Sequence, residues 1–435
     1  MYRSLRAYGI CWPSPLQSLQ NLLKPTAIYV YENDLKPREI RLINLRYGED
    51  DDQIQCSLVR HHLDVPSPDI KYAALSYVWG DPNDTAMILC DGQLLEIREN
   101  LHSLLWHIRE FVEWEPQTTE FFWADAICIN QADEEEKSQQ IRLMQEIYYR
   151  ADTVILWLGE ETFDTRMGLE MIDRVTKALY DHSSFDPETR EHALDMEDVM
   201  RDPQSFGIPD DDDIGWKAVY EILEDPLFTR VWIIQELLMA RQAIFLCGLT
   251  LISANFLLPF AEFFVDSEFY RKLRGQPWYC KHQNLSRIAS VKTRLEAGRN
   301  LGMLELLKVA VRFEATDPRD KVFALVGLAK DVNPSLIDYT KSTEEILIIL
   351  ALHILNQPRV DPSDISGLEM LSFARAIPTH FEIPSWVPCW TSNYHEYFPL
   401  VHLYPTHEHN SQESPHIMAD AQNVRDSLPL YPFSI

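Results

Sequence analysis

Two carboxylates flank one short polar stretch of this sequence. Asp125 lies in Trp123-Ala-Asp-Ala-Ile-Cys-Ile-Asn-Gln131, and Glu136 ends the acidic run that follows. Glycoside cleavage uses carboxylates to stabilise an oxocarbenium-like transition state. A helix start at the same place would add free backbone N–H groups, which suit a pyrophosphate. An alternative reading is structural. Asp133-Glu-Glu-Glu136 has the spacing of a capping box, with Asp133 as N-cap and Glu136 reaching back. Glu135 is the nearest competitor for any role given to Glu136.

Other residues divide between the same two readings. Tyr77, Trp79 and Trp123 could stack on a flat ring, or fill a core. Gly80, Asn130 and Gln131 could line a ligand, or turn and tie the loops. Arg230, Trp232, Gln235 and Glu236 could form the far side of a cleft. They could equally be a helix packed through Trp232, with Arg230 and Glu236 in ion pairs. Cys128 lacks a nucleophile's setting, because no His follows His107 in this block and no protease signature surrounds it. Neither phosphate-binding glycine motif occurs. The catalytic candidates are therefore Asp125 and Glu136. The ligand-binding candidates are Trp79, Gly80, Asn130, Gln131 and Arg230.

Elements that position these residues follow from periodicity. Ala73 to Gly80 predicts a buried strand ending in a turn. Phe121 to Ile127 and Thr153 to Gly159 predict two more. Met87 to Cys90 and Gln93 to Ile97 flank Asp91-Gly92, a hairpin signal. Asn100 is placed to cap a helix running to about Val112. Glu134 to Arg150 is helical in pattern. Alternating strands and helices with near-continuous apolar strands predict an α/β fold with a mainly parallel sheet flanked by helices. In such sheets ligands sit outside the carboxyl ends of the strands.

The flanks are less regular. Ile28 to Tyr31 and Ile40 to Leu45 predict short strands. Helices are expected at 167–182, 214–223, 230–241, 256–273, 301–311 and 343–355, with Ser342 to Glu345 as a capping box. The expected division is an N-terminal segment over 1–68, a core over 69–250, a largely helical C-terminal extension over 251–405, and a polar tail, expected to be disordered, over 406–435.

Composition narrows the function classes. The chain has 435 residues, 46% hydrophobic and 24% charged, enough for a sizeable core. Lys and Arg number 39 against 67 Asp and Glu, a formal charge of -28. That surface repels nucleic acid and anionic lipid. Seven scattered Cys without a C-x-x-C pair argue against a zinc ribbon or disulfide framework, and no metal is expected. No secretory signal or membrane-length apolar run is read, so a cytoplasmic protein without a membrane span is expected.

The same strings resemble a family. Tyr72-Ala-Ala-Leu-Ser-Tyr-Val-Trp-Gly80 resembles the opening motif of fungal heterokaryon-incompatibility (HET) domain proteins. Asn100-Leu101 resembles the element after it, and Trp123 to Gln131 the central motif. Asp133, Glu136-Lys137, Gln140, Met144, Ile147-Tyr148, Ala151 and Val154 to Gly159 follow at the family's spacing. Arg230-Val-Trp-Ile-Ile-Gln-Glu236, Cys247-Gly248, Thr316 to Gly327, Asp338-Tyr339 and Pro384 to Pro388 resemble later elements. Cys389 stands where the pattern has an acidic residue. The resemblance runs from about Tyr72 to Trp390.

That resemblance implies an effector of nonself recognition that triggers programmed cell death. It also implies a fold remotely similar to TIR domains, some of which cleave NAD. Two mechanisms then compete. One is a signalling or assembly module acting through a protein partner or itself, with no cofactor. The other is a TIR-like NAD glycohydrolase in which NAD is substrate and Glu136 acts as nicotinamide leaves.

Overall fold

A computed structural model describes residues 27–31, 34–46, 53–65, 70–114, 121–182, 184–186, 191–193, 201–210, 213–266, 283–357, 370–371, 373 and 381–391. A nine-stranded sheet organises it. Strands β1 (Glu39–Leu45), β2 (Gln55–His62), β3 (Tyr72–Ser76), β4 (Thr85–Cys90) and β5 (Gln93–Arg98) come first. After helix α1 (Glu99–Trp114) come β6 (Phe121–Trp123), a short α2 (Asp125–Cys128), α3 (Glu134–Arg150) and β7 (Thr153–Trp157). Helix α4 (Phe163–His182), a small ladder of β8 (Ser184–Asp186) and β9 (Glu191–Ala193), α5 (Gly215–Leu223) and α6 (Trp232–Met239) lead to β10 (Ala243–Cys247) and β11 (Thr250–Ser253). Helices α7 (Ala254–Asp266), α8 (Gln283–Glu296), α9 (Met303–Ala310), α10 (Asp320–Val326) and α11 (Thr343–Leu355) follow.

The sheet order is β11-β10-β7-β3-β6-β1-β2-β4-β5. It is α/β as expected, but mixed rather than mainly parallel. Only β10, β7, β3 and β6 form a continuous parallel block. Antiparallel β11 closes one side, and β1, antiparallel to both β6 and β2, extends the other. The hairpins β1–β2, β4–β5 and β10–β11 supply antiparallel neighbours in these flanks, while β2 and β4 pair in parallel. The strand read at Ile40 to Leu45 thus enters the central sheet. Ile28 contributes a single parallel bridge to Leu94 instead of a strand.

Burial explains why β3 is central. All five residues of Tyr72–Ser76 are buried, as in a strand covered on both faces. Leu75, Tyr77, Val154 and Leu156 are buried, while Leu158 is partly so. Tyr77 and Leu158 lie just past their strands. Helix α3 docks on this block. Tyr72 Oη donates to Ile147 O at 2.6 Å, and Tyr148 Oη to Leu75 O at 3.2 Å. The buried apolar residues form one cluster reaching from Ile40 to Trp390, so α8 to α11 share the core of the sheet.

Local signals were largely obeyed. Asp91 (φ 51°) and Gly92 (φ 78°) take the left-handed pair that a two-residue hairpin needs. Ser342 and Glu345 form the expected capping box ahead of α11. Three expectations shift. The strand from Phe121 stops at Trp123, because the Ala-Asp-Ala that follows is poor strand sequence and folds into α2. Asn100 is inside α1 and does not cap it. Helix α6 begins at Trp232 because Arg230 bridges to Glu314, with Val231 N donating to Glu314 O at 2.9 Å. Of the helix expected at 256–273, the described part is helical over Ala254–Asp266, and 267–273 and 406–435 lie outside the described residues.

Candidate functional site

The topology gathers the motif strings at one edge. Neighbouring β6, β3 and β7 are parallel, so their carboxyl ends lie together. The chain leaves β3 toward the β6 side and leaves β7 toward β10. Their loops diverge there, which is where open α/β sheets place ligands.

Asp125 sits under the end of β3. Its Oδ1 accepts from Tyr77 Oη at 2.8 Å and from Ala126 N at 2.8 Å, and its Oδ2 accepts from Trp79 Nε1 at 3.0 Å. Burial, then the Asp125 charge, pushes the Tyr77 phenol well above its ordinary pKa, so it stays a donor. Gln131 Nε2 donates to Asp125 O at 2.8 Å and fixes the loop. The Arg98 guanidinium lies 5.3 Å from the Trp79 ring centroid and donates to Gly80 O at 2.6 Å. Gly80 turns the chain with φ 77°.

A second acid lies next to this group. Glu236, 1% exposed, accepts from Ser76 Oγ and, at 3.3 Å, from Tyr148 Oη. Arg230 Nη1 is 3.7 Å from Glu236 Oε2. Burial raises the Glu236 pKa despite the Arg230 charge. Burial opposes the Arg230 charge too, but Glu236 and then Asp125 hold it on. Two buried donor atoms here, Arg230 Nη1 and Trp123 Nε1, have no hydrogen-bond partner in the protein. The Trp123 ring meets Tyr148 edge-on at 5.6 Å. The opening, central and later motif strings therefore close on one another through Ser76, Tyr77, Trp79, Trp123, Asp125, Tyr148, Arg230 and Glu236.

Glu136 belongs to a different cluster. Asp133 caps α3 as read, accepting from Glu135 N and Glu136 N, both at 3.0 Å. Glu136 does not reach back to Asp133. Its Oε1 accepts from Arg41 Nη1 at 2.6 Å and from Asn130 N at 2.7 Å, and its Oε2 from Arg41 Nη2 at 3.0 Å. Arg41 also donates to Cys128 O at 3.0 Å. Asn130 Oδ1 accepts from Ala132 N at 3.2 Å. The structure thus brings Trp79, Gly80, Asp125, Gln131 and Arg230 to one region. It puts Glu136 and Asn130 with Arg41.

The third strand end also bonds elsewhere. Glu160 accepts from Ser103 Oγ and lies 3.3 Å from His107 Nε2, while Glu161 holds Arg166. Asn100 ties these ends together, donating to Val78 O at 2.5 Å and accepting from Trp157 Nε1 at 2.9 Å. Cys128 is buried, and burial pushes its thiol up to about 12, the reverse of a nucleophile's need. Among the described residues no three His, Cys, Asp or Glu side chains gather to hold a metal. Two clefts of about 300 and 290 Å³ are lined by residues outside the motif strings, one by Arg174, Asp210 and Asp213 and the other by Leu336, Ile349 and His353.

Sequence reasoning did not find Arg41, and it passed over Ser76 and Tyr148. A signal for Arg41 existed: one arginine inside Glu-Ile-Arg-Leu-Ile-Asn-Leu, where an apolar strand must pair any charge it buries. Ser76 and Tyr148 stood inside the motif strings without chemistry that marked them out.

No helix of the described residues is long and apolar enough to cross a membrane. No solved structure matches this chain. It is 29% identical over 373 residues to heterokaryon incompatibility protein 6, OR allele, of Neurospora crassa, covering 74% of this chain and 54% of that protein. The chain spans about half the length of that relative. Residues 72–236 match the family described as heterokaryon incompatibility protein (HET), from the first residue of β3 to Glu236. The chain thus carries a stretch that matches the HET domain, over less than half of its length.

Proposed function

We propose that this chain acts in fungal heterokaryon incompatibility as an effector of nonself recognition that triggers programmed cell death. It does so as a signalling or assembly module, working through a protein partner or through copies of itself. The observation that carries this reading is the mutual closure of the motif residues. Asp125 is filled by Tyr77, Trp79 and Ala126, Glu236 by Ser76 and Tyr148, and Glu136 by Arg41 and Asn130. Such a network defines a rigid shape more readily than a substrate channel. The role in incompatibility is supported by the family match and the named relative.

A second reading has its own observation. Arg230 Nη1 and Trp123 Nε1 are buried donors without hydrogen-bond partners, and Arg230 is ion-paired with Glu236 near Asp125. A TIR-like NAD glycohydrolase could use them, with Asp125 and Glu136 as the carboxylates and Trp79, Gly80, Asn130, Gln131 and Arg230 around the ligand. Inducible expression in a fungal host separates the readings. Dye uptake reports death, and NAD content is followed alongside. The assembly reading expects death at undiminished NAD, with killing by Asp125→Asn in proportion to its folded fraction. A fall in NAD that precedes death, and that Asp125→Asn abolishes while remaining folded, favours the enzyme.

A further inference from the structure

We propose that Cys56 and Cys90 form a redox-active dithiol, which a low-molecular-weight disulfide converts into an internal disulfide that staples the β4–β5 hairpin to β2. The inference stands whether the chain signals, assembles or cleaves NAD.

The register brings the two thiols together. Strands β2 and β4 run parallel, and their ladder consists of Gln55 opposite Leu89 and Cys56 opposite Cys90. Leu89 N donates to Ile54 O and Asp91 N to Cys56 O, both at 2.9 Å. Directly opposed residues point to the same face of a sheet, and neighbouring strands lie about 4.8 Å apart. Disulfides span Cα separations of about 4.4–6.8 Å. Both side chains point into the core, at 2% and 0% exposure. The thiols hydrogen-bond each other, and that contact, then burial, pushes the Cys90 thiol up. Among the described residues no other two cysteines are opposed in a ladder: Cys128 ends α2, and Cys247 faces Thr250.

The reaction is thiol–disulfide exchange with a small disulfide such as oxidised glutathione. One thiol, ionised as the short ladder opens, attacks a glutathione sulfur and expels one glutathione thiolate. The second thiol then attacks the mixed disulfide and expels the other. The protein pair gives up two electrons and two protons, which leave on two glutathione molecules. Burial slows the first attack. It does not set the equilibrium, which depends on how well the folded chain holds the two sulfurs together.

The staple acts on a strand that serves the candidate site. From Asp91-Gly92 the hairpin runs on through β5 to Arg98, which donates to Gly80 O and lies over the Trp79 ring. Tying Cys90 to β2 braces the strand that carries Arg98 to the end of β3.

The full chain is incubated in glutathione buffers of increasing oxidised fraction until the products stop changing. Free thiols are then alkylated in urea and the peptides mapped by mass spectrometry. The Cys56 and Cys90 peptides should emerge joined, while Cys128 and Cys247 are alkylated. Half-conversion should need a buffer at least about tenfold less oxidising than for the same chain held unfolded in urea, because folding raises the effective concentration of one thiol at the other. By linkage the oxidised chain should melt at a higher temperature, a gain that a dithiol reductant reverses and that Cys56→Ala and Cys90→Ala each lack. Both thiols alkylated at every ratio, either one held as a mixed glutathione disulfide, Cys90 joined to Cys128 instead, or a folding advantage below tenfold would each overturn the proposal. The unmutated chain carries these readings, so the test survives a variant that fails to fold.

Discussion

Arg41 Nη1 lies 2.6 Å from Glu136 Oε1, and Nη2 lies 3.0 Å from Oε2. A strand that precedes the matched family segment thereby grips the first turn of α3 within it. Both side chains are buried, at 4% and 9% exposure. A buried pair adds little over an apolar pair of equal volume, but either half alone is costly.

Glu136→Gln is therefore expected to destabilise the fold by roughly 3–5 kcal/mol, because Arg41 stays charged and loses its counter-ion. Arg41→Met alone should cost a similar amount. The double change Arg41→Met with Glu136→Met should cost less than the two together. Urea denaturation of the full cycle measures this. Unchanged stability in Glu136→Gln would show the pair is not holding α3, and would free Glu136 for chemistry.

Asn100→Ala removes one side chain that serves two strand ends. The Val78 carbonyl and the Trp157 indole N–H each lose their partner. Leaving buried groups unsatisfied costs about 1–3 kcal/mol each, so a loss of that order or somewhat more is expected. Asn100→Asp keeps the acceptor for Trp157 but loses the donor to Val78, and should fall between. A fully stable Asn100→Ala chain would show that water replaces both bonds.

Much of this arrangement was legible in the residues. The near-continuous apolar runs around Leu75 and Val154 predict neighbouring buried strands, and the structure pairs them in register. Asp91-Gly92 and Ser342 to Glu345 predict their turn and cap, because those motifs act locally. What the sequence hid is what acts at long range. The partner of Glu136 is Arg41, far earlier in the chain, so a local capping box was the natural reading. The Tyr77, Trp79 and Asp125 contact needed β3 and β6 to be neighbours, which periodicity alone does not say. The antiparallel flanks were missed because a strand's periodicity does not reveal its partner's direction.

Thiol chemistry offers a direct check on the core. Cys56, Cys90, Cys128 and Cys247 are all buried, and Cys389 is partly exposed. Burial also raises the Cys247 thiol. Thiols that are neither exposed nor ionised react slowly. Under native conditions an aromatic disulfide reagent should label at most three of the seven cysteines, and all seven after denaturation. Rapid native labelling of Cys128, located by peptide mapping, would contradict the packing around α2.

Asp320 joins α10 to the HET segment and makes stability depend on pH. Its carboxyl accepts from Tyr339 Oη and, at 3.2 Å, from Trp232 Nε1. Burial pushes its pKa from 3.8 up to about 6, the donated bonds and the Lys137 charge working against that and Asp317 with it. The folded state thus holds this proton more tightly than the unfolded chain. Its stabilising contribution is complete below about pH 4 and is lost as pH rises through about 6, a change on the order of 3 kcal/mol. Asp225 is raised to about 6 by burial as well and shifts stability in the same direction, so the wild-type profile alone does not isolate Asp320. The difference between wild type and Asp320→Asn does. Asn keeps an acceptor for one donor and cannot ionise, so the variant should gain on the wild type as pH rises from 4 to 7. Urea denaturation at stepped pH reads the difference directly. A gap between the two proteins that stays constant over that window would mean Asp320 does not take up its proton on folding.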